Sequence, residues 1–244
     1  MFNNFPKMRP SLPKKIEDIY LEHYIANREG RTAASFVAKK MESWLHRQVA
    51  SDVENLQNTS LATLEIGAGT LNQLLYEPIN NKYDIVEPFS DLYNKSSLLE
   101  NIRNIYCDIS EIPKDNRYNR ITSVAVLEHV CNLPEVIARS CLLLSENGVF
   151  RSSIPSEGTF LWGLCWKLSS GLEFKLKFGL DYSMLMKHEH INTAKEIDDG
   201  LNYFFEKVKC KVFGLSKSIS IYRYYECRIP NIKRCEEYLK TLSK

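Results

Sequence analysis

Glycines and acidic residues recur at even intervals in the first half of the chain, each directly after a short apolar run. Gly67 and Gly69 form a Gly-x-Gly turn, which lets a backbone bend sharply and approach a ligand because glycine has no Cβ. Glu87 comes eighteen residues after Gly69, and Asp108 comes twenty-one residues after Glu87. Carboxylates in such positions accept hydrogen bonds from ribose hydroxyls or from an exocyclic amine. These residue types and spacings predict a nucleoside site.

Strands must position these residues, and the apolar runs predict five strands in this part of the chain. The candidates are Ala62–Ile66, Tyr83–Val86, Asn104–Cys107, Ile121–Val126 and Gly148–Ile154. Helix-like stretches lie between them, one of which begins at Pro134 and ends at Asn147-Gly148. Strands that alternate with helices predict a mostly parallel sheet, which binds ligands at the carboxyl ends of its strands. The glycine turn and both carboxylates therefore belong to one edge of the sheet.

Two further strand candidates near the C-terminus, Lys211–Leu215 and Ile219–Cys227, are separated by three residues. A connection this short predicts an antiparallel hairpin. In front of the sheet, apolar spacing predicts one helix within residues 12–30 and a second helix that starts near Thr32. The predicted fold class is α/β: a Rossmann-like, doubly wound, mostly parallel seven-stranded sheet with an antiparallel C-terminal edge and an N-terminal helical extension.

The ends of the first four predicted strands read Glu65-Ile66-Gly67-Ala68-Gly69, Glu87, Asp108-Ile109 and Leu127-Glu128-His129-Val130. With these motifs, residues 60–155 resemble the class I S-adenosylmethionine (SAM)-dependent methyltransferases. The resemblance implies that Gly67 and Gly69 lie against the methionine part of SAM and that Glu87 holds its ribose. SAM is therefore the expected cofactor.

The same resemblance assigns the remaining cofactor contacts. It implies that Asp108 and Ile109 contact the adenine and that the segment beginning at Leu127 faces both cofactor and substrate. Glu65 is expected to orient the glycine loop or the amino group of the methionine. One position departs from the family pattern, because Leu71 stands where a third glycine is often found. We expect either looser packing of helix and strand there or a loop that leaves the strand differently.

An NAD-dependent enzyme could share the strand, the turn and Glu87. Pyrophosphate recognition usually requires Gly-x-Gly-x-x-Gly, and Asn72 stands at the place of the last glycine. A sulfonium cofactor has no phosphate to bind, so the loss of that glycine affects SAM less. The sequence therefore favours a methyl donor over a dinucleotide.

Methyl transfer from a sulfonium is an in-line displacement, for which a protein supplies alignment and, with a hydroxyl acceptor, a group that takes the proton. Histidine suits that role near neutral pH. His129 follows the fourth strand, and His190 lies shortly before a helix that we expect Thr193 to open. We expect His129 or His190 to assist deprotonation; a histidine that only shapes the pocket is the alternative. No metal site is expected, because His188-Glu189-His190 lacks an obvious third ligand.

The stretch 156–187 is rich in aromatic and large apolar residues, and a connection of this length is usually a lid or contains helices. We expect it, together with residues 1–60, to cover the acceptor pocket of a methyltransferase domain that spans residues 61–244. Three lysines interleave with the aromatics: Lys167, Lys175 and Lys177. They are solvated residues of an amphipathic helix, or they favour an anionic or sugar-bearing acceptor, or they contact a membrane surface.

The composition is that of a soluble globular protein, with 44% hydrophobic and 25% charged residues. A net charge of +2 argues against a nucleic-acid partner. Residues 124–129 also lack the Asp/Asn-Pro-Pro-aromatic run of amino-methylating nucleic-acid enzymes. Seven cysteines without a Cys-x-x-Cys pair indicate free thiols in a reducing compartment, and no apolar run is long enough to span a bilayer. We therefore expect a cytoplasmic protein without a transmembrane segment.

These exclusions leave a small molecule or a saccharide as the favoured acceptor. A hydroxyl is the favoured acceptor group, although both O- and N-methylation remain open. The pattern Gly179-Leu180-Asp181-Tyr182 followed by Glu189-His190-Ile191-Asn192 is similar to bacterial methyltransferases associated with surface-polysaccharide synthesis. A protein of the same fold that binds SAM or a nucleoside without turnover is the main alternative, and an NAD-dependent enzyme is the other.

Overall fold

A seven-stranded sheet forms the centre of the structure. The structure is a computed structural model that describes residues 2–14, 16–17, 19, 33–80 and 82–242. For residues 33–40 it describes the backbone alone. A separate two-stranded parallel sheet pairs β1 (Asn58–Thr59) with β3 (Ile79–Asn80). The strands of the large sheet are β2 (Thr63–Ile66), β4 (Tyr83–Val86), β5 (Asn104–Tyr106), β6 (Tyr118–Val124), β7 (Leu144–Pro155), β8 (Phe205–Ser216) and β9 (Ile219–Pro230).

The order of the large sheet is β5-β4-β2-β6-β7-β9-β8. The first five strands are parallel, whereas β9 runs antiparallel to both β7 and β8. In the hairpin, Ser216 pairs directly with Ile219. The order reverses at β2, with β4 on one side and β6 on the other, which is where such sheets bind ligands. The predicted mostly parallel seven-stranded sheet with an antiparallel C-terminal edge is confirmed.

The connections between β2 and β6 differ from the prediction. Short 3₁₀ turns, rather than helices, follow β2, β4 and β5 in this part of the structure. Each connection contains one proline, at Pro78, Pro88 and Pro113. Proline fixes φ and has no N–H group, so it interrupts a helix interior. The predicted helix at Pro134 is confirmed as α2 (Leu133–Leu143), which links β6 to β7.

Helices cover both faces of the sheet. On one face lies α1 (Ala33–Ala50), which confirms the helix predicted near Thr32. On the other face, α2, α6 (Ala194–Phe204) and α7 (Ile232–Leu242) pack against the main apolar core. The helix predicted within residues 12–30 falls largely outside the described residues.

Two buried arginines hold the end of α1 against the sheet. Arg120 on β6 forms ion pairs with Asp52 at 2.9 Å and with Glu77 at 2.6 Å. Arg151 on β7 donates to the carbonyl oxygen of Val49 at 2.7 Å. The last turn of a helix leaves carbonyl groups without intrahelical partners, and Arg151 satisfies one of them. Removing Arg120 would leave Glu77 buried without its partner, which costs roughly 3–5 kcal/mol.

A series of helices links β7 to the C-terminal hairpin. α3 (Phe160–Trp166) and α4 (Leu172–Phe178) are joined by a π-helical turn, residues 167–171, into one continuous helical segment, and α5 (Ser183–Glu189) follows. α6 begins after Thr193, as predicted, because Thr193 and Glu196 exchange side-chain-to-backbone hydrogen bonds. None of the described helices combines the length and the apolar character needed to cross a membrane.

Candidate functional site

The glycine turn leaves β2 at its carboxyl end and lies against the end of β6. Gly67 has a φ of +70°, and a Cβ placed on it would lie 2.4 Å from Cγ2 of Val126. Both observations require glycine, because left-handed φ values are costly for other residues and no space exists for a side chain. Gly69 also has a positive φ, +51°. The turn therefore brings bare backbone next to the segment that continues into Leu127.

Glu87 lies at the end of β4 and accepts two backbone hydrogen bonds. Its Oε2 accepts the N–H of Gly69 at 2.7 Å, and its Oε1 accepts the N–H of Phe89 at 3.0 Å. Each carboxylate oxygen has a further lone pair, so Glu87 can accept ribose hydroxyls while it holds the turn. The structure thus brings Glu87 together with the glycine turn.

Leu71 explains how the turn does without a third glycine. Its φ is +64°, a left-handed value, and its side chain is completely buried in an apolar cluster with Tyr83 and Ile85. The 3₁₀ turn Asn72–Tyr76 follows it directly. The loop therefore leaves β2 differently from a strand–glycine–helix turn, which was one of the two expected consequences of Leu71.

Glu65 lies within β2 and is 2% exposed. The hydroxyl of Tyr83 donates to its Oε2 at 2.9 Å. Burial raises the pKa of Glu65 to about 8, and nearby carboxylates add to the rise. The hydrogen bond from Tyr83 lowers this pKa but offsets only part of the effect of burial. A cationic ligand group beside Glu65 would favour its ionised form. This chemistry fits an amino group, and the role of Glu65 in the cofactor site stays a prediction.

The other three predicted cofactor residues have different surroundings. Asp108 is exposed, and its side chain accepts the N–H of Ser110 at 2.8 Å. Ile109 and Leu127 are buried in the main apolar core. Their side chains thus face inward in this structure, and the contacts of all three with a cofactor stay predictions.

A second group of polar residues lies where β6 and β7 end. Ala125 has a φ of +52°, and its N–H donates to the carbonyl of Ser153 at 2.8 Å, so a strained residue turns the chain out of β6. Glu128 follows and is 1% exposed, and within the described residues its Oε2 has no hydrogen-bond partner. Burial raises the pKa of Glu128 to about 7, although the charge of His190 opposes the rise.

His190 is held by Glu157, which stands just after β7. The distance between His190 Nδ1 and Glu157 Oε2 is 2.8 Å, and the indole N–H of Trp162 donates to the same oxygen at 2.6 Å. Burial lowers the pKa of His190, but the hydrogen bond to Glu157 and the neighbouring carboxylates outweigh it and raise this pKa overall. Because a carboxylate accepts at Nδ1, neutral His190 presents an unprotonated Nε2.

His129 stands beside His190, with ring centroids 4.8 Å apart and rings nearly perpendicular. Its Nδ1 donates to the carbonyl oxygen of Glu189 at 2.8 Å, and its Nε2 lies 3.7 Å from Oε1 of Glu128. His188 does not join them, because its Nδ1 donates to the carbonyl of Pro10 at 2.7 Å. The structure therefore groups the two histidines that the sequence proposed as bases.

Asn192 fixes the histidine segment to the end of β6. Its side-chain N–H groups donate to the carbonyls of Leu127 at 2.8 Å and Val130 at 2.7 Å, and its backbone N–H donates to the carbonyl of Glu128. Asn192 is fully buried. These bonds join two segments that are more than sixty residues apart in sequence.

Glu128, His129 and His190 each offer one ligand atom, and the three atoms lie within 4.8 Å of one another. Two imidazoles and a carboxylate are a set that could hold a divalent cation. It differs from the set considered in the sequence, because it excludes His188. The expectation of no metal site stays a prediction.

Glu157, Trp162 and Asn192 were not predicted as site residues from the sequence. A signal for Glu157 exists, since it comes two residues after the end of β7, at the same edge as Glu87. A search for polar residues directly after the fifth strand would have found it. Trp162 belongs to the aromatic stretch that was expected to cover the pocket, and Asn192 belongs to the pattern Glu189-His190-Ile191-Asn192, but the contacts of both depend on tertiary docking.

The sequence profile of a family described as methyltransferase domain matches residues 34–197, which is more than half of the chain. The chain belongs to this family of methyltransferase domains. No curated protein sequence is significantly similar to it.

Solved structures with a similar fold include several methyltransferases. A SAM-dependent enzyme from Thermotoga maritima, described as a possible histamine N-methyltransferase, has a TM-score of 0.54 and 15% identity, covering 84% of this chain and 98% of its own. The plantazolicin methyltransferase BpumL in complex with SAH has a TM-score of 0.52 and 14% identity, and the match covers 88% of this chain and 91% of BpumL. The DhpI–SAM–HEP complex has a TM-score of 0.52 and 12% identity, and the match covers 89% of this chain and 100% of the matched chain. The fold of this chain is thus one that SAM-dependent methyltransferases use.

Proposed function

We propose that this protein transfers a methyl group from SAM to a hydroxyl of a small-molecule or saccharide acceptor. One observation carries the proposal: Gly67 lies directly against Val126, so the glycine turn adjoins the segment that contains Glu128 and His129. A methyl donor at the turn would thereby face possible proton acceptors, the buried Glu128 and the half-buried His129 and His190. The match to the methyltransferase family and the neighbours solved with SAM or SAH support SAM as the cofactor.

The cofactor half of the proposal assigns a contact to four of the predicted residues. Gly67 and Gly69 lie against the methionine part, Glu87 accepts from the ribose hydroxyls, and Asp108 faces the adenine. Glu87 supports this assignment, because it is already aligned by the N–H groups of Gly69 and Phe89. Preorganised acceptors bind a diol without an additional ordering cost.

The acceptor half assigns proton removal to His190, with His129 as the neighbouring candidate. The bond to Glu157 orients His190 and stabilises its protonated form, as a base needs when it takes a proton during methyl transfer. Glu128 is proposed to bind the acceptor hydroxyl, which its burial and the unpartnered Oε2 within the described residues support. Bound SAM would supply the methyl group, and His190 would take the proton of the acceptor hydroxyl as the oxygen is methylated.

Residues 156–187 and the N-terminal part, residues 1–60, are proposed as the cover of this pocket over a catalytic domain 61–244. Lys7 and Arg9 support the proposal, since Lys7 donates to the carbonyl of Ile191 at 2.8 Å and Arg9 donates to the carbonyl of His129 at 3.2 Å. The seven cysteines are all free thiols, which supports a reducing, cytoplasmic location. A role in surface-polysaccharide synthesis remains part of the same proposal.

Turnover with an acceptor panel tests the proposal, after thermal-shift titration with SAM, SAH and NAD has established which ligand stabilises the protein. We expect stabilisation by SAM and SAH and none by NAD. His190→Asn is expected to lower kcat by about 100-fold and to leave the Kd for SAM unchanged, because general-base removal typically costs that much.

His129→Asn provides the matched comparison, since both rings stand in the same cluster. If turnover falls only in His129→Asn, the base assignment moves to His129. If neither substitution changes turnover, no histidine acts as base. Binding of SAM without methylation of any acceptor would favour the non-catalytic binding protein.

A further inference from the structure

The continuous helical segment 160–178, formed by α3, the π-helical turn and α4, exposes a row of large apolar side chains. They recur at every fourth residue and are between 40% and 82% exposed: Phe160, Leu164, Leu168, Leu172 and Leu176. A four-residue repeat would drift around an α-helix, which has 3.6 residues per turn. The π-helical turn 167–171 has more residues per turn and offsets that drift. The apolar row therefore stays on one side of the segment.

The opposite side of the segment is anchored to the protein. Phe174 is completely buried in a cluster with Ile16 and Leu185. Trp162 donates to Glu157 at 2.6 Å, and its ring lies 5.7 Å from that of Tyr222. The exposed row is thus the outer face of a helix whose inner face is already packed.

Charged residues beside this row are mainly basic. The segment contains one acidic residue, Glu173, and three exposed lysines: Lys167, Lys175 and Lys177. Lys167 and Lys177 lie over the neighbouring rings of Trp166 and Phe178, so their ammonium groups stay close to the helix. A helix with a large apolar face bordered by lysines is typical of segments that lie in the plane of an anionic membrane interface.

We propose that the outer face of segment 160–178 binds the surface of an anionic membrane, with its five apolar side chains among the lipid headgroups. Lipid phosphates would neutralise Lys167, Lys175 and Lys177. Pairing with the same face of a second copy would instead bring the lysines of both faces together, which disfavours self-association. Because Trp162 lies on the same segment, binding would place the site near lipid, but the proposal does not depend on methyl transfer.

Sedimentation of the full chain with vesicles tests this proposal. Vesicles of phosphatidylcholine are compared with vesicles that also contain phosphatidylglycerol, each at low and high salt. We expect binding to the anionic vesicles that weakens at high salt, and little binding to the neutral ones. Leu168→Glu/Leu176→Glu and Lys175→Glu/Lys177→Glu are each expected to weaken binding by about tenfold or more.

Ile79→Glu is the matched control, because Ile79 is 76% exposed but lies outside the segment. It should bind vesicles like the unchanged protein, and thermal melting should show that all variants fold. Absence of vesicle binding, equal binding to both lipid compositions, or an equal loss in Ile79→Glu overturns the proposal. If the protein instead forms a dimer, does not bind vesicles, and dissociates only in Leu168→Glu/Leu176→Glu, the face serves self-association.

Discussion

The two halves of the carboxyl edge of the sheet are held together in different ways. At β2 and β4, Glu87 accepts the backbone N–H of Phe89, two residues away, and that of Gly69, eighteen residues away at the end of the neighbouring strand. At β6 and β7, the cluster around His190 depends on side chains that come from distant segments. The first half needs only that the ends of β2 and β4 lie side by side, whereas the second exists only while residues 157–192 are docked. We therefore expect changes in the first half to affect SAM binding and changes in the second to affect turnover.

Gly67→Val should give the largest effect. The new Cβ would meet Val126 at 2.4 Å, and the residue would keep an unfavourable φ of +70°. We expect the Kd for SAM, measured by calorimetry, to rise by more than about 100-fold, since strain and a steric clash add in one position. Circular dichroism should verify that the variant folds.

Gly163→Ala is the control for this change, because nothing lies within 4 Å of a Cβ added at Gly163 in α3. It should bind SAM like the unchanged protein. A Kd for Gly67→Val within about threefold of the original value would contradict the close approach of backbone and cofactor.

Glu87→Gln tests the carboxylate of the first half. Gln retains one acceptor oxygen but loses the charge and the bidentate pattern, so we expect a Kd for SAM about tenfold to 100-fold higher. The KM of the acceptor should not change. Asp108→Asn should have a smaller effect, because Asp108 is exposed and its charge is screened. If Asp108→Asn weakens SAM binding more than Glu87→Gln, the ribose assignment is wrong.

Asn192→Ala tests the docking on which the second half depends. It removes two side-chain hydrogen bonds and leaves the buried carbonyl of Leu127 and the half-buried carbonyl of Val130 with fewer donors. We expect a loss of about 1–3 kcal/mol in the free energy of unfolding and about tenfold slower turnover. The Kd for SAM should change less than about twofold, and a larger change would show that the two halves are coupled.

Glu157→Gln should change the pH dependence more than the rate. The hydrogen bond and charge of Glu157 raise the pKa of His190 against the effect of burial, so neutralising Glu157 lowers that pKa. Because the base must be unprotonated, the rising limb of the kcat/KM profile should move to lower pH. In the unchanged protein, the contribution of His190 to the free energy of unfolding is fully present below pH 6.5 and is lost as the pH rises through its raised pKa. The free energy of unfolding of the variant should not show this pH dependence. A shift of the profile to higher pH would contradict the role of Glu157.

That the glycine turn and Glu87 lie together could be predicted, because both signals stand directly at strand ends. A glycine pair after an apolar run and a carboxylate after the next run need only the strand ends to be placed, and the periodic pattern places them. The mostly parallel sheet followed from the alternation of strands and helices, and the antiparallel edge followed from the three-residue connection between the last two strands. The 3₁₀ connections were not predicted, although each of them contains a proline, at Pro78, Pro88 or Pro113.

The acceptor half could be predicted only in part. His129 and His190 were named as candidates, but their contact at 4.8 Å depends on how Asn192 docks at β6. Burial also decides the chemistry: Glu128 has its pKa raised to about 7 only because the fold removes it from water. Neither the docking nor the burial has a periodic signature in the chain.

A crystal structure of the complex with SAH tests the central claim most directly. We expect the ribose hydroxyls to lie within hydrogen-bonding distance of Glu87, and the sulfur to lie beside Gly67 and face the cluster of Glu128 and His190. A nucleoside bound elsewhere, or a sulfur that faces away from that cluster, would contradict the account.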